Sequence, residues 1–162
     1  MMRYTVVTIF SVLLVFTSSA QPTLNRDSLL KVLAGAKDDS GKAALYISLS
    51  NDFLKDDIRS AEKYALLAGD LSRRLHYKKG IYHFYDAFSN VYLRSGQFDS
   101  LLAIHKEAMA FAQKDGDSVE IGRILLNIGM AWQLKDDFEL AVSNIETGRD
   151  LLIRNGVHRF DA

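Results

Sequence analysis

The string Leu54-Lys55-Asp56-Asp57 returns as Leu134-Lys135-Asp136-Asp137 eighty positions later, and Arg94-Ser95-Gly96-Gln97 stands midway between the two copies. A fixed period near forty residues constrains a fold strongly, because every unit must then fold alike and stack on its neighbour. The flanking residues keep step. Phe53, Tyr92 and Trp132 precede the three copies. Four residues earlier stand Leu49, Phe88 and Ile128, each followed by a small residue: Ser50, Ser89 and Gly129. Downstream come Ala61, Leu101 and Ala141, and then Ala68, Ala108 and Gly148.

Leu49 with Phe53, Phe88 with Tyr92 and Ile128 with Trp132 are i,i+4 pairs, so each pair lies on one face of a helix. The small residues beside them let that helix approach a second one, from which Ala61 and Ala141 make the matching concession. Asp-Asp or Gly-Gln marks the turn between the two helices, with Asp57 and Asp137 as N-caps of the second. Lys79-Gly80, Asp115-Gly116 and Asn155-Gly156 place glycine at the expected end of each unit. The spacing therefore predicts a short helix over 27–36 and three antiparallel helical hairpins. These pair 42–55 with 58–75, 79–95 with 98–114, and 118–134 with 138–155. The expected architecture is an all-α solenoid with units 42–76, 77–116 and 117–156, preceded by a short helix and linker at 21–41. Residues 156–162 repeat the pattern of 80–87 with one residue removed. The segment 157–162 thus reads as the start of a truncated fourth unit, which would leave the last hairpin without a polar cap and free to pair with a second copy.

The first twenty residues follow another logic. Arg3 precedes an uncharged apolar run at 5–16, and Ser18 and Ala20 are the small residues that a signal peptidase reads. This is the layout of a secretory signal at 1–20, with cleavage after Ala20. The run is shorter than the roughly 20 residues of a spanning helix, so export without membrane insertion is expected. The chain has 20 basic and 20 acidic residues. That balance offers no basic face for nucleic acid. With no cysteine, disulfides, thiolate metal sites and a lipidated cysteine are excluded.

Little in the sequence points to chemistry. Gly35 to Ala43 resembles a phosphate loop only loosely. Five residues separate its glycines, and Ala43 replaces the hydroxyl that would hold magnesium, so an inter-helix loop is the better reading. His83 with Asp86 and His158 with Asp161 are i,i+3 pairs, too few ligands for a metal and better read as surface hydrogen-bonded pairs. His105 falls at a core position. Asp38-Asp39, Asp56-Asp57 and Asp136-Asp137 could be drawn as acid–base dyads, but helix capping accounts for them. The basic run 73–79 closes a helix, where cations favour the dipole. Tyr82 and Phe84 lie off the main stripe and read as packing between hairpins. No cofactor, metal site or catalytic set is expected.

Aliphatic–small–x–x–aromatic, a turn, then further small residues: this order resembles the tetratricopeptide repeat, most clearly at Ile128, Gly129, Trp132, Phe138, Ala141 and Gly148. The resemblance covers roughly residues 42–155. The period exceeds the usual 34, the second unit has Leu101 where the family prefers Ala, and no unit ends in proline. With the leader, the layout resembles the extracytoplasmic repeat region of bacterial sensor histidine kinases. The resemblance implies a concave groove lined by the first helix of each hairpin. By alignment its positions include Asn51, Lys55, His83, Asp86, Asn90, Arg94, Arg123, Met130 and Gln133. Asn51 with Asn90 and Lys55 with Arg94 would form a row of donors suited to a peptide backbone or carboxylate, although plain helix solubility explains them equally well. Ile47, Ala87 and Asn127 depart from the family's carboxylate clamp. The expected function is a non-catalytic, extracytoplasmic module that binds a protein or peptide. The alternative is a truncated sensor region of a histidine kinase or similar signalling protein.

Overall fold

The computed structural model of the protein describes residues 25–157. The expected leader at 1–20, residues 158–162 of the expected fourth unit and the His158–Asp161 pair lie outside the described residues. Seven helices follow one another: α1 (Arg26–Ala34), α2 (Ser40–Phe53), α3 (Ile58–Arg74), α4 (Lys78–Arg94), α5 (Phe98–Asp115), α6 (Ser118–Gln133) and α7 (Phe138–Arg154). Each packs on the helix before and after it, and α2 also touches α4. This is an all-α solenoid of three hairpins after a short helix, with first helices side by side.

The helix starts follow from side-chain capping. Asp39, Asp57, Asp117 and Asp137 each accept a hydrogen bond from the backbone N–H three residues on, at 3.0–3.1 Å. One member of each paired-aspartate motif is thus spent on a cap. Of their neighbours, Asp38 pairs with Lys42 at 2.8 Å and Asp56 with Arg26 at 2.7 Å. Asp39 as cap brings the start of α2 to Ser40, so the supposed Gly35–Ala43 loop is partly helix. Gly116 closes α5 in the left-handed conformation (φ 69°), and Gly156 follows α7 with φ 80°. Gly80 was expected to do the same and does not. His76 takes the left-handed turn after α3 (φ 50°), and Gly80 lies inside α4, buried against Ser72 and Tyr77. Close helix approach, not chain reversal, is what that glycine serves.

The small residues set how closely each hairpin closes. In the first, Ser50 is buried and its hydroxyl donates to the carbonyl of Ala61 at 2.8 Å. In the third, Gly129 occupies the equivalent place, and a Cβ built there would lie 2.9 Å from the carbonyl of Ala141. In the second, Ser89 faces His105, and the buried Leu101 replaces the alanine. The helices α4 and α5 accordingly pack less tightly than α2 with α3 or α6 with α7. Between hairpins, Phe84 and Phe88 join Ala65, Ala87 and Ile104 in one core cluster, while Tyr82 packs with Ala108, Ala112 and Ile124 in another. The basic run at the end of α3 is largely engaged internally. Arg73 stacks on Phe84 at 4.4 Å, Arg74 reaches Asp38 at 3.3 Å, and Lys78 pairs with Asp115.

Candidate ligand groove

The first helices α4 and α6 make no close backbone contact with each other, and two cavities are lined by both. At the N-terminal ends of both helices lies one of about 860 Å³, lined by Lys79, His83, Asp86, Glu120, Arg123 and their neighbours. At the C-terminal ends lies one of about 850 Å³, walled by Leu93, Met130, Leu134 and Phe138 and floored by Leu101 and His105. Asp86, Asn127 and Met130 line both. The two are therefore sections of one groove, charged at one end and apolar at the other, each of a size that suits a ligand.

The apolar section coincides with the departure in the second unit. Leu101, which stands where the first and third units have Ala61 and Ala141, lines it together with His105. The His105 ring is 4% exposed, with Nδ1 at 3.5 Å from the Ser89 hydroxyl, which itself donates to the carbonyl of Tyr85 at 2.8 Å. Burial lowers the His105 pKa to about 4, so a neutral ring floors the cleft at physiological pH. The rim is unusual for a soluble surface: Leu93, Met130, Leu134 and Phe138 are 44%, 51%, 45% and 60% exposed. Their clustering in one concavity sets them apart from single exposed apolar residues, which are ordinary. Asn90, Asn127 and Gln133 add amides to the same wall.

In the charged section, burial raises the carboxyl of Asp86, with His83 and Arg123 acting the other way. Asp86 has much of its surface accessible, so it is reachable from the groove while the surrounding walls limit its hydration. Burial likewise raises Glu120, opposed by Arg123 and reinforced by Asp117 and Asp86. The Tyr82 hydroxyl is buried with no hydrogen-bond partner among the described residues. Burial, followed by Asp117, Asp115 and Glu120, pushes its pKa up to about 12, so it keeps its proton.

Of the expected groove residues, the structure brings Asp86, Asn90, Met130 and Gln133 to the apolar section and His83, Asp86, Arg123 and Met130 to the charged one. Asn51, Lys55 and Arg94 line neither, and Lys55 pairs with Asp52 at 2.8 Å. The row of donors shared between the first two hairpins therefore does not form part of the groove. His83 and Asp86 make no hydrogen bond to each other. Sequence reasoning missed Leu93, Leu134 and Phe138, which sit where helices end or begin and read as ordinary boundary residues. Among the described residues, no three His, Asp or Glu side chains gather as a metal site, and no helix is long and apolar enough to cross a membrane.

No protein-family profile matches the chain. No curated protein matches it either. Solved structures do. BtubC from P. vanneervenii superposes with a TM-score of 0.68 at 18% identity, over 85% of this chain and 59% of that one. A signal-transduction ATPase with numerous domains from Pyrococcus horikoshii, described as carrying a tetratricopeptide repeat sensor, superposes with a TM-score of 0.68 at 14% identity. That match covers 82% of this chain and 21% of the ATPase. This chain thus spans less than two thirds of either structure. At such identities the likeness concerns the fold, a tetratricopeptide-like helical repeat.

Proposed function

We propose that the protein is an exported, non-catalytic binding module that holds a peptide or protein segment in the groove between α4 and α6. One observation carries this reading: four large apolar side chains stand exposed around a single cleft, beside amides that could satisfy a ligand backbone. Enclosure on both sides by helices would bury an inserted side chain without moving the scaffold. A photo-crosslinking residue at Met130 tests the reading, with one at Lys106 on the exposed side of α5 as control. Partners should be captured at Met130 and not at Lys106 when the protein is expressed in a Gram-negative host. Equal capture at both positions, or capture at Lys106 alone, would refute it.

A second reading is a sensory role within a larger signalling protein. The tetratricopeptide repeat sensor named in the Pyrococcus ATPase favours it. It would use the same groove, and differs in what ligand occupancy is coupled to.

A further inference from the structure

Building on the groove reading, we propose that the ligand is a peptide segment presenting two features about 10 Å apart: a large apolar side chain and a lysine or arginine. The apolar group would enter the cleft bounded by Leu93, Met130, Leu134 and Phe138, and the cation would meet Asp86.

Asp86 stands at the junction of the two sections and lines both. Among the described residues it makes no ion pair and no hydrogen bond, unlike Asp38, Asp52, Asp99 and Asp115, which all hold basic partners. Its accessibility lets a ligand reach it, while the groove walls deny it full hydration; the raised carboxyl is consistent with that position. Glu120, half-buried on α6, adds negative charge from the opposite wall. Cations also border the charged section. Lys78 is occupied by Asp115, and Lys79, His83 and Arg123 are exposed. Of the charged side chains lining that section, Asp86 alone also lines the apolar one. A ligand whose apolar group is seated there therefore meets this unpaired carboxylate first and gains by supplying it with a cation. A ligand carboxylate placed there would instead meet Asp86 and Glu120 as like charges.

The spacing follows from helix geometry. Asp86, Asn90 and Leu93 are i, i+4 and i+7 on α4, so the carboxylate and the apolar wall are two turns apart, roughly 10 Å at 1.5 Å per residue. The same interval separates Asn127 from Leu134 on α6. An extended peptide covers that distance in about three residues, at roughly 3.3 Å each. A helical one covers it in about seven. The neutral His105 ring beneath the apolar section favours an uncharged side chain there, while the exposed Asp136 at its edge adds a second carboxylate besides Asp86.

Panning a displayed library of random dodecapeptides on the purified chain tests the proposal, with Asp86→Asn and Met130→Glu run in parallel. Neither substitution removes an interaction made within the fold, and a thermal melt of each variant checks that it folds. Peptides enriched on the natural chain should pair a Lys or Arg with a large apolar residue, three or seven positions apart. On Asp86→Asn the basic preference should disappear while the apolar one remains. A fluorescein-labelled peptide of the winning sequence should then bind that variant about 10-fold more weakly, corresponding to roughly 1.4 kcal/mol. Enrichment that Met130→Glu abolishes but that shows no basic residue, or an acidic one, overturns this inference and leaves the groove reading standing. Enrichment unchanged in Met130→Glu, or none at all on the natural chain, overturns both.

Discussion

Replacing Gly148 or Gly129 by alanine puts the packing logic of the third hairpin to its most direct test. A Cβ at Gly148 would lie 2.7 Å from the carbonyl oxygen of Gly122, 3.0 Å from the Cβ of Leu125 and 3.1 Å from the backbone nitrogen of Leu126. At Gly129 the corresponding atoms are Ile145 Cγ1 at 2.5 Å, the carbonyl oxygen of Ala141 at 2.9 Å and the nitrogen of Ile145 at 3.2 Å. Two effects compete. Alanine in a helix interior is favoured over glycine by up to about 1 kcal/mol. Overpacking a helix–helix contact costs about 1–3 kcal/mol. Side-chain ends can swing aside, whereas a facing backbone moves only if the whole of α6 shifts from α7. Backbone atoms and a Cβ confront Gly148 on every side, so steric cost wins there by the larger margin. The expected order of urea unfolding free energies is natural chain, then Gly129→Ala lower by about 1 kcal/mol, then Gly148→Ala lower by about 2 kcal/mol. Gly129→Leu should lose roughly 2–4 kcal/mol, because three further carbons must be placed. A Gly148→Ala protein as stable as the natural chain, or more so, would refute the close approach of α6 to α7.

Asn90→Ala should weaken capture at the groove while Arg94→Ala leaves it unchanged, since only Asn90 lines the cleft; an equal loss in a pull-down would contradict that placement. Stability should fall on acidification because of His105. Its folded pKa of about 4 lies below the unfolded value of about 6.5, so the stability present above pH 6.5 is lost as pH drops towards 4, by about 2 kcal/mol at pH 5. The raised carboxyls of Asp86 and Glu120 titrate with the opposite sign in both proteins, so comparison of urea melts with His105→Leu isolates the histidine; parallel pH profiles would contradict its burial. Self-association through the outer face of α7 should appear in sedimentation equilibrium and vanish in Val142→Lys, whose natural side chain is 54% exposed; a strict monomer at high concentration would exclude it.

Period and small-residue positions made the hairpins legible because both are local consequences of helix geometry. An i,i+4 pair beside Ser50 or Gly129 states which face is inward and how near the next helix comes. Aspartate before an apolar run announced Asp57 and Asp137 as caps, and both cap. Gly80 misled because a glycine can terminate a helix or permit a close contact, and the string alone does not distinguish the two roles. His76, with its rare positive φ, gives no sequence signal of that kind. The groove was half legible. Asp86, Asn90, Met130 and Gln133 line a cavity shared by α4 and α6, but alignment by repeat could not show that cavities open between those two helices. Asn51 and Lys55 hold equivalent positions on a hairpin whose helices close tightly.

Why the cleft opens there can be argued from one substitution in the repeat. A solenoid built from identical units would have the same spacing throughout, and its inner surface would be a uniform shallow trough. Ser50 with Ala61 and Gly129 with Ala141 keep that close spacing in the first and third hairpins. In the second, Leu101 stands where Ala61 and Ala141 do, and its extra side-chain volume must be accommodated between α4 and α5. The third hairpin packs on α5 through Leu102, Phe98 and Trp132. Leu101, which breaks the small-residue rule, is also one of the residues that floor the apolar cleft. In this chain a departure from the repeat, rather than the repeat itself, lines the apolar cleft.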